Sequence, residues 1–304
     1  VLVGALERAA QQLVWETPFE KGGSVGGLFE NRRSVSRRSG GVAYHGLGIG
    51  RARDGLVVEA FASYGPHDER DAVGYVSSLM RLPAARIRLV WCEGIESHVR
   101  SGDRGGHHGL MAAGGYGTVG GFAADLYSNL VLAVSNNHVF ARVNRAKLGD
   151  SLLDHQHTPF GRLHRFVPLV AAPQVNDVDG AVGTIDARRK LLAPRGMRVS
   201  GVGTPLLGMR VQKWGARTGH TVGRIRSIRA TPTVTYRGAG AFNFRSVLRV
   251  VGASGPFSMP GDSGSLVLDD AGGVVGIVFA GDTNGAFSLA NPVGALTGRL
   301  GITF

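Results

Sequence analysis

The stretch Gly261-Asp262-Ser263-Gly264-Ser265, followed at once by Leu266-Val267-Leu268, sets a serine between glycines just ahead of an apolar run. A serine on so tight a turn can present its hydroxyl, and main-chain N–H groups of the same turn can converge on a developing oxyanion. Glycine-rich turns before strands are common, so the motif gains meaning only from its partners. Two lie upstream. Ser135-Asn136-Asn137-His138-Val139 puts a histidine directly after the apolar run Leu130 to Val134, and Val178-Asp179-Gly180-Ala181-Val182 puts an aspartate at the head of another. Of the three chain orders in which a Ser-His-Asp triad is found, His-Asp-Ser is the one carried by a double β-barrel. On that template Ser263 would be the nucleophile and His138 the general base and then acid. Asp179 would fix the histidine tautomer, and the N–H groups of Gly261 and Ser263 would line the oxyanion hole. Asp177 competes with Asp179. Asp179 is preferred because it leads into Ala181-Val182, while Asp177 reads as a turn cap after Asn176. Asp262 reads as a shaper of the turn.

Together these segments resemble the chymotrypsin/trypsin-like serine peptidases, in particular the bacterial members without disulfides. Those show Ser-Asn-Asn-His-Val at the histidine and Val-Asp-x-Ala at the aspartate. Gly215-Ala216-Arg217-Thr218-Gly219-His220-Thr221-Val222-Gly223 reproduces the family's Gly-x-x-Thr-Gly-x-Thr-x-Gly hairpin, and the likeness continues through Gly276-Ile277-Val278-Phe279-Ala280-Gly281 to Asn291-Pro292-Val293. It covers roughly residues 103–304. Upstream, Gly46-Leu47-Gly48-Ile49-Gly50 looks like the small domain that often precedes the peptidase in this group. The resemblance implies a mainly β chain: a chymotrypsin-like double β-barrel preceded by a small α/β domain and an N-terminal helix. It implies a serine endopeptidase with no cofactor and no metal, acting on protein or peptide substrates. It also sets the primary pocket between the segment before Ser263 and the strand near Phe279, which makes Phe257, Phe279, Ala280 and Gly281 candidate substrate-binding residues. Phe257 is not an acid, which argues against selection of Arg or Lys. Phe287 would narrow the pocket toward a small or medium apolar side chain, unless Asp282 points inward.

The elements that must position these residues follow from pattern. Three segments are expected: an N-terminal helix and Gly/Ser/Arg-rich linker over 1–41, a small α/β domain over 42–100, and the peptidase domain over 101–304. Apolar positions Val3, Leu6, Ala10 and Leu13 at helical spacing predict the first helix. The Asp54-Gly55 turn predicts a hairpin of Leu47 to Ile49 with Leu56 to Phe61, followed by a short helix over Val73 to Met80 and a strand over Ile87 to Trp91. Beyond the Gly-rich bridge over 101–120, short apolar runs separated by Gly or Asx predict an all-β unit, with hairpin strands at 224–229 and 231–236. The 48 glycines suit many tight turns, since only glycine enters positive φ without steric cost.

Cys92 is the single cysteine, so no intrachain disulfide is possible, which points to a reducing compartment and a cytoplasmic location. No secretory leader is expected in Val1 to Val14 and no run is long enough for a membrane span. The net charge of +12 comes from 30 Arg and 4 Lys scattered along the chain without a recognition motif, so a specific nucleic-acid partner is not expected. A regulatory partner acting through the N-terminal domain is. The histidines of Asp154-His155-Gln156-His157, with His164, and of His107-His108 raise the question of zinc, but a Pro159-containing surface loop is the expected reading. Two rival readings keep the fold and change the function: a latent or non-catalytic binding module, and a hydrolase of a non-peptide ester.

Overall fold

The computed structural model describes residues 43–63, 69–92, 94–97, 117–186 and 197–304. The helix expected over 1–14, the linker over 21–41 and the pair His107-His108 lie outside the described residues.

The first elements are β1 (Ala43–Ala52) and β2 (Gly55–Ser63), which pair antiparallel through the Asp54-Gly55 turn, with Gly55 at φ +130°. Helix α1 (Glu69–Met80) lays Ala72, Val76 and Met80, a 3.6-period stripe, against Leu47, Val58 and Ala60 of that hairpin. Strand β3 (Ile87–Trp91) then returns parallel to β2, and β4 (Ile95–Ser97) follows it.

Strands β5 (Gly121–Asp125) and β6 (Val131–Ser135) lead into a single helical turn, α2 (Asn137–Phe140). Strands β7 (Ser151–Leu153), β8 (Pro159–Phe166), β9 (Val175–Asn176) and β10 (Ala181–Ile185) come next. The rest comprises β11 (Gly201–Val202), β12 (Arg210–Gly215), β13 (Gly219–Ala230), β14 (Thr233–Tyr236), β15 (Gly240–Phe244) and β16 (Val247–Gly252). Strands β17 (Leu266–Leu268), β18 (Gly273–Asp282) and β19 (Ser288–Pro292), helix α3 (Val293–Leu300) and β20 (Ile302–Thr303) complete the chain.

The chain is mainly β and has the chymotrypsin-like barrel organisation that the resemblance implies. Strands β13, β12, β17, β18, β19 and β16 pair in that cyclic order, each antiparallel to the next, and β16 returns to β13, so this barrel is closed. Val211, Ile225, Val250, Val267 and Val278 fill it. The other sheet has six strands in the order β20-β5-β6-β10-β8-β7, packed around Ala133, Phe140, Phe160 and Leu163. A shared cluster containing Leu132, Val182, Leu266, Ile277 and Leu296 joins the two, with α3 buried by Leu296 and Leu300 and ended by Gly301 at φ +60°. No helix among the described residues is long and apolar enough to cross a membrane.

Two features depart from a simple chain of units. The segments expected to form a hairpin at 224–229 and 231–236 run in β13 and β14 but do not pair with each other. Pro232 lies between them, and β14 pairs instead with β15 and β4. In addition, β1 pairs with β13 (Ile49↔Ile228), and β4 pairs with β18, so the strands upstream of residue 98 belong to one fourteen-stranded sheet with the closed barrel.

Across this junction lies a buried ion pair. Glu59 of β2 is fully buried and accepts from Arg249 of β16 at 2.7 and 3.0 Å, and from Arg88 of β3. Arg249 stands 5.8 Å from the ring centroid of Phe287 and 5.9 Å from that of Phe61. Arg249→Met removes the bidentate partner of Glu59 but leaves Arg88 beside it, so we expect a loss of about 1.5–3 kcal/mol in urea unfolding, the range for hydrogen bonds to a charged group, and Glu59→Leu with Arg249→Met to recover much of it.

Candidate active site

The histidine segment is built from polar residues that each satisfy main-chain groups. Ser135 Oγ donates to the Thr118 carbonyl (2.8 Å), Asn136 Nδ2 to the Asp179 carbonyl (2.7 Å), and Asn137 Nδ2 to the Val167 carbonyl (2.7 Å). These bonds turn the chain sharply out of β6 into α2 and set His138 toward the seam between the sheets. The pairing of Ala181 with Ser135 in β10 and β6 draws the preceding residues of β10 alongside that turn. Asp179 is thereby placed against His138. His138 Nδ1 donates to Asp179 Oδ2, and the His138 main-chain N–H donates to Oδ1 at 3.2 Å. The Asp179 N–H donates to Asn291 Oδ1 at 3.0 Å. Asp177 lies apart, paired with Arg245 at 2.5 Å and Arg299 at 3.7 Å. Of the two candidates, Asp179 is the one beside the imidazole.

A third side chain joins them that the sequence reading missed. Tyr236, fully buried at the end of β14, donates its hydroxyl to Asp179 Oδ2 at 2.7 Å and meets the His138 ring edge-on at 5.4 Å between centroids. Burial, then the neighbouring Asp179 carboxylate, pushes its phenol well above the ordinary range, so it remains a donor. With two donors on one oxygen, Asp179 is held in place without either of its partners needing solvent.

Ser263 sits on a turn fixed from several sides. Thr118 donates its N–H to the Ser263 carbonyl (2.7 Å) and its hydroxyl to the Gly261 carbonyl (2.9 Å). Gly264, at φ +98°, packs so closely that an added Cβ would lie 2.0 Å from the Thr118 carbonyl oxygen. Gly261, at φ +110°, also needs the freedom of glycine. The N–H groups of Gly261 and Ser263 donate to no carbonyl among the described residues.

The strongest contribution comes from the residue between them. Asp262 is fully buried. Its Oδ1 accepts from the N–H groups of Arg217 (2.8 Å) and Thr218 (3.1 Å). Its Oδ2 accepts from Met259 N–H (2.9 Å), Thr218 Oγ1 (2.7 Å) and the ammonium of Lys213 (3.2 Å). Burial opposes its ionisation, but the Lys213 charge and the hydrogen bonds outweigh it and hold the carboxyl below its usual range. Lys213 is pulled down by burial and up by Asp262, with burial prevailing. The sequence reading missed Lys213; the signal that could have found it is the strand alternation in Val211-Gln212-Lys213-Trp214, which puts it on the face of Val211.

In this arrangement Ser263 Oγ donates to the Phe279 carbonyl at 3.1 Å, and His138 Nε2 is a buried nitrogen without a hydrogen-bond partner among the described residues. Ser263, His138 and Asp179 are 0 %, 2 % and 0 % exposed. Of the pocket candidates, the Phe257 ring lies inside the closed barrel with Val211 and Val250, and its carbonyl accepts from Thr221 Oγ1 (2.7 Å). The Phe279 ring packs on Phe244 at 4.8 Å, while Ala280 and Gly281 pair with β19 on one edge and β4 on the other. Phe287 packs on Phe61. Asp282 Oδ2 accepts from the N–H groups of Asn284 and Ala286. Asp154 likewise closes its own turn by accepting from Gln156 and Thr158 N–H (both 2.9 Å).

No family model matches the chain, and no curated protein matches it. Among solved structures it is similar to Cellulomonas bogoriensis chymotrypsin, at 20 % identity and TM-score 0.45, over 65 % of this chain and 95 % of that one. It is also similar to Nocardiopsis protease, at 21 % identity and TM-score 0.47, over 64 % and 96 % of the two chains. Thermobifida fusca protease A aligns at 19 % identity and TM-score 0.45, over 61 % and 89 %.

Lys213 is the one cation on Asp262 among the described residues, so Lys213→Met would leave a buried carboxylate with hydrogen bonds but no countercharge. We expect a loss of about 3–5 kcal/mol in urea unfolding at neutral pH. The Asp262 carboxyl is depressed in the folded state, so its contribution is complete above the unfolded value of about 3.9 and is lost as pH falls through the folded value. The penalty of Lys213→Met should therefore shrink as pH falls: first as the variant's carboxylate, raised by burial without its cation, takes up a proton above the unfolded value, and then below about pH 4 as the native chain loses its own contribution.

Proposed function

We propose that the chain is a serine endopeptidase acting through His138, Asp179 and Ser263. The carrying observation is the imidazole oriented by a buried carboxylate, in the same seam as a serine turn, with the other imidazole nitrogen and two N–H groups of the turn without partners among the described residues. On leaving the Phe279 carbonyl, Ser263 Oγ attacks the scissile carbonyl carbon as His138 Nε2 takes its proton. The carbonyl oxygen becomes an oxyanion that accepts from Gly261 and Ser263 N–H, each such donor being worth about 2.7–4 kcal/mol in the transition state. His138 then returns the proton to the departing amine, leaving an ester on Ser263. Water, deprotonated by His138, attacks that ester and releases the acid and the free serine. Asp179 holds the imidazole with Nδ1 protonated and stabilises the imidazolium throughout. The same machinery accepts activated esters.

The test is labelling with a fluorophosphonate and turnover of a peptide library. Ser263→Ala should abolish labelling and lower turnover on the order of 10⁴–10⁶-fold, while thermal unfolding stays close to that of the native chain. Undiminished turnover in this variant refutes the assignment. Tyr236→Phe removes one donor to Asp179. We expect kcat/KM to fall roughly tenfold or more, as for a hydrogen bond to a charged group, with the loss in kcat rather than KM and a changed acid limb of the pH profile. A variant changed in KM alone would make Tyr236 a packing residue.

A further inference from the structure

The edge of β18 beside the nucleophile is already occupied by the chain itself. Strand β4 lies between β18 and β14. Ile95, Glu96 and Ser97 pair antiparallel with Asp282, Gly281 and Ala280, and Glu96 pairs parallel with Thr235. Thr283 N–H donates to the Gly94 carbonyl at 3.3 Å just upstream. The Ile95 side chain is buried in the cluster that holds Phe244, Phe279 and Phe287. This is a strand seated on both edges and anchored by a side chain.

Its register has a direction. From Ile95 to Ser97 the partners run from Asp282 back to Ala280, and the next residue of β18 is Phe279, whose carbonyl holds Ser263 Oγ. A chain extended in this register therefore runs, from its amino to its carboxyl end, toward Ser263. An extended peptide that joins a sheet edge is held by its main chain and read through alternate side chains. A peptide in the place of β4 would approach the serine with the residues on the acyl side of its cleaved bond. The near-complete burial of Ser263 and His138 agrees with a slot that is filled.

We infer that the slot between β18 and β14 is the acyl-side binding site for an extended peptide substrate, and that β4 is its resident occupant, supplied by the same chain and displaced when substrate binds. The inference rests on the peptidase reading above. It makes substrate and β4 competitors for one set of hydrogen bonds.

The experiment uses the full chain. Glu96→Pro removes the N–H from the middle residue of β4, and Ile95→Asp keeps the main chain but puts a charge into the apolar anchor site. Circular dichroism melting checks that each variant folds. A small fluorophosphonate reports the nucleophile, and hydrolysis of a peptide library reports access to the slot. Library hydrolysis should rise at least tenfold in either folded variant, and a capped synthetic peptide of sequence Gly94-Ile95-Glu96-Ser97 should then inhibit it competitively. Unchanged or lower hydrolysis in a folded variant that still labels overturns the inference and leaves the serine hydrolase reading standing. Absence of labelling in the native chain and in both variants removes the peptidase reading and the inference with it. A measurement on the native chain needs no variant: attaching a tetrapeptidyl phosphonate to Ser263 should strip the Glu96 amide of its protection from hydrogen exchange. Retained protection overturns the displacement.

Discussion

The buried contact between Lys213 and Asp262 is the constraint on which the arrangement of this seam depends. A carboxylate removed from water must find hydrogen bonds and a countercharge or give up its own charge. Asp262 finds both: four protein donors and one ammonium, from the turn itself and from the β12–β13 connection. To satisfy them it must sit at one point, and that point fixes the conformation of the residues on either side. Gly261 and Ser263 are therefore positioned by an electrostatic requirement at Asp262. Thr118, bridging from the first sheet, binds the same turn to the other half of the molecule. The positive charge is supplied by Lys213, a side chain of the closed barrel, which ties the turn to that barrel.

Asp179 shows the same logic with a different answer. Its neighbours are a histidine and a tyrosine, both able to donate and neither permanently charged. A lysine there would neutralise the carboxylate and pull it away from the imidazole. Tyr236 adds a second hydrogen bond to Asp179 Oδ2 without bringing a charge of its own. The two buried aspartates are thus separated by their partners: Asp262 is held by an ammonium and main-chain donors, Asp179 by an imidazole and a phenol.

Much of this was legible in the sequence. The residues Ser135, Asn136 and Asn137 ahead of His138 each cap main-chain groups, and a segment that must do so is constrained in type at every position, which is why it stands out as a motif. Gly264 stands out for a related reason, since a Cβ there would strike the Thr118 carbonyl. The choice of Asp179 over Asp177 follows from its distance to the apolar strand, and the structure sets only Asp179 beside the histidine. Tyr236 was not legible. It arrives from β14, far along the chain, and an inward tyrosine in Thr233-Val234-Thr235-Tyr236 looks the same as any core aromatic. The sheet partners of β14 were hidden likewise, because adjacency along the chain favours a hairpin with β13 and nothing local in Ile95-Glu96-Ser97 marks it as their neighbour. Local pattern reports faces and turns; it does not report which distant edge a short strand will join.

Position of the machinery and access to it are consequently separate properties of this fold. The turn around Ser263 is held by Lys213 and Thr118, whereas β4 pairs with β18 and β14, and Tyr236 belongs to the strand that reaches β18 through β4. Taking β4 away without replacement would leave the Ser263 turn intact and loosen the tyrosine bonded to Asp179. An extended peptide in the same slot would offer hydrogen bonds to β18 and β14 alike and keep that tyrosine in place. A compact ester could reach the serine without doing so. On the proposed reading the two-edged slot would give extended chains an advantage beyond their own contacts, because only an occupant with a strand-like main chain would complete the sheet through which Asp179 is held.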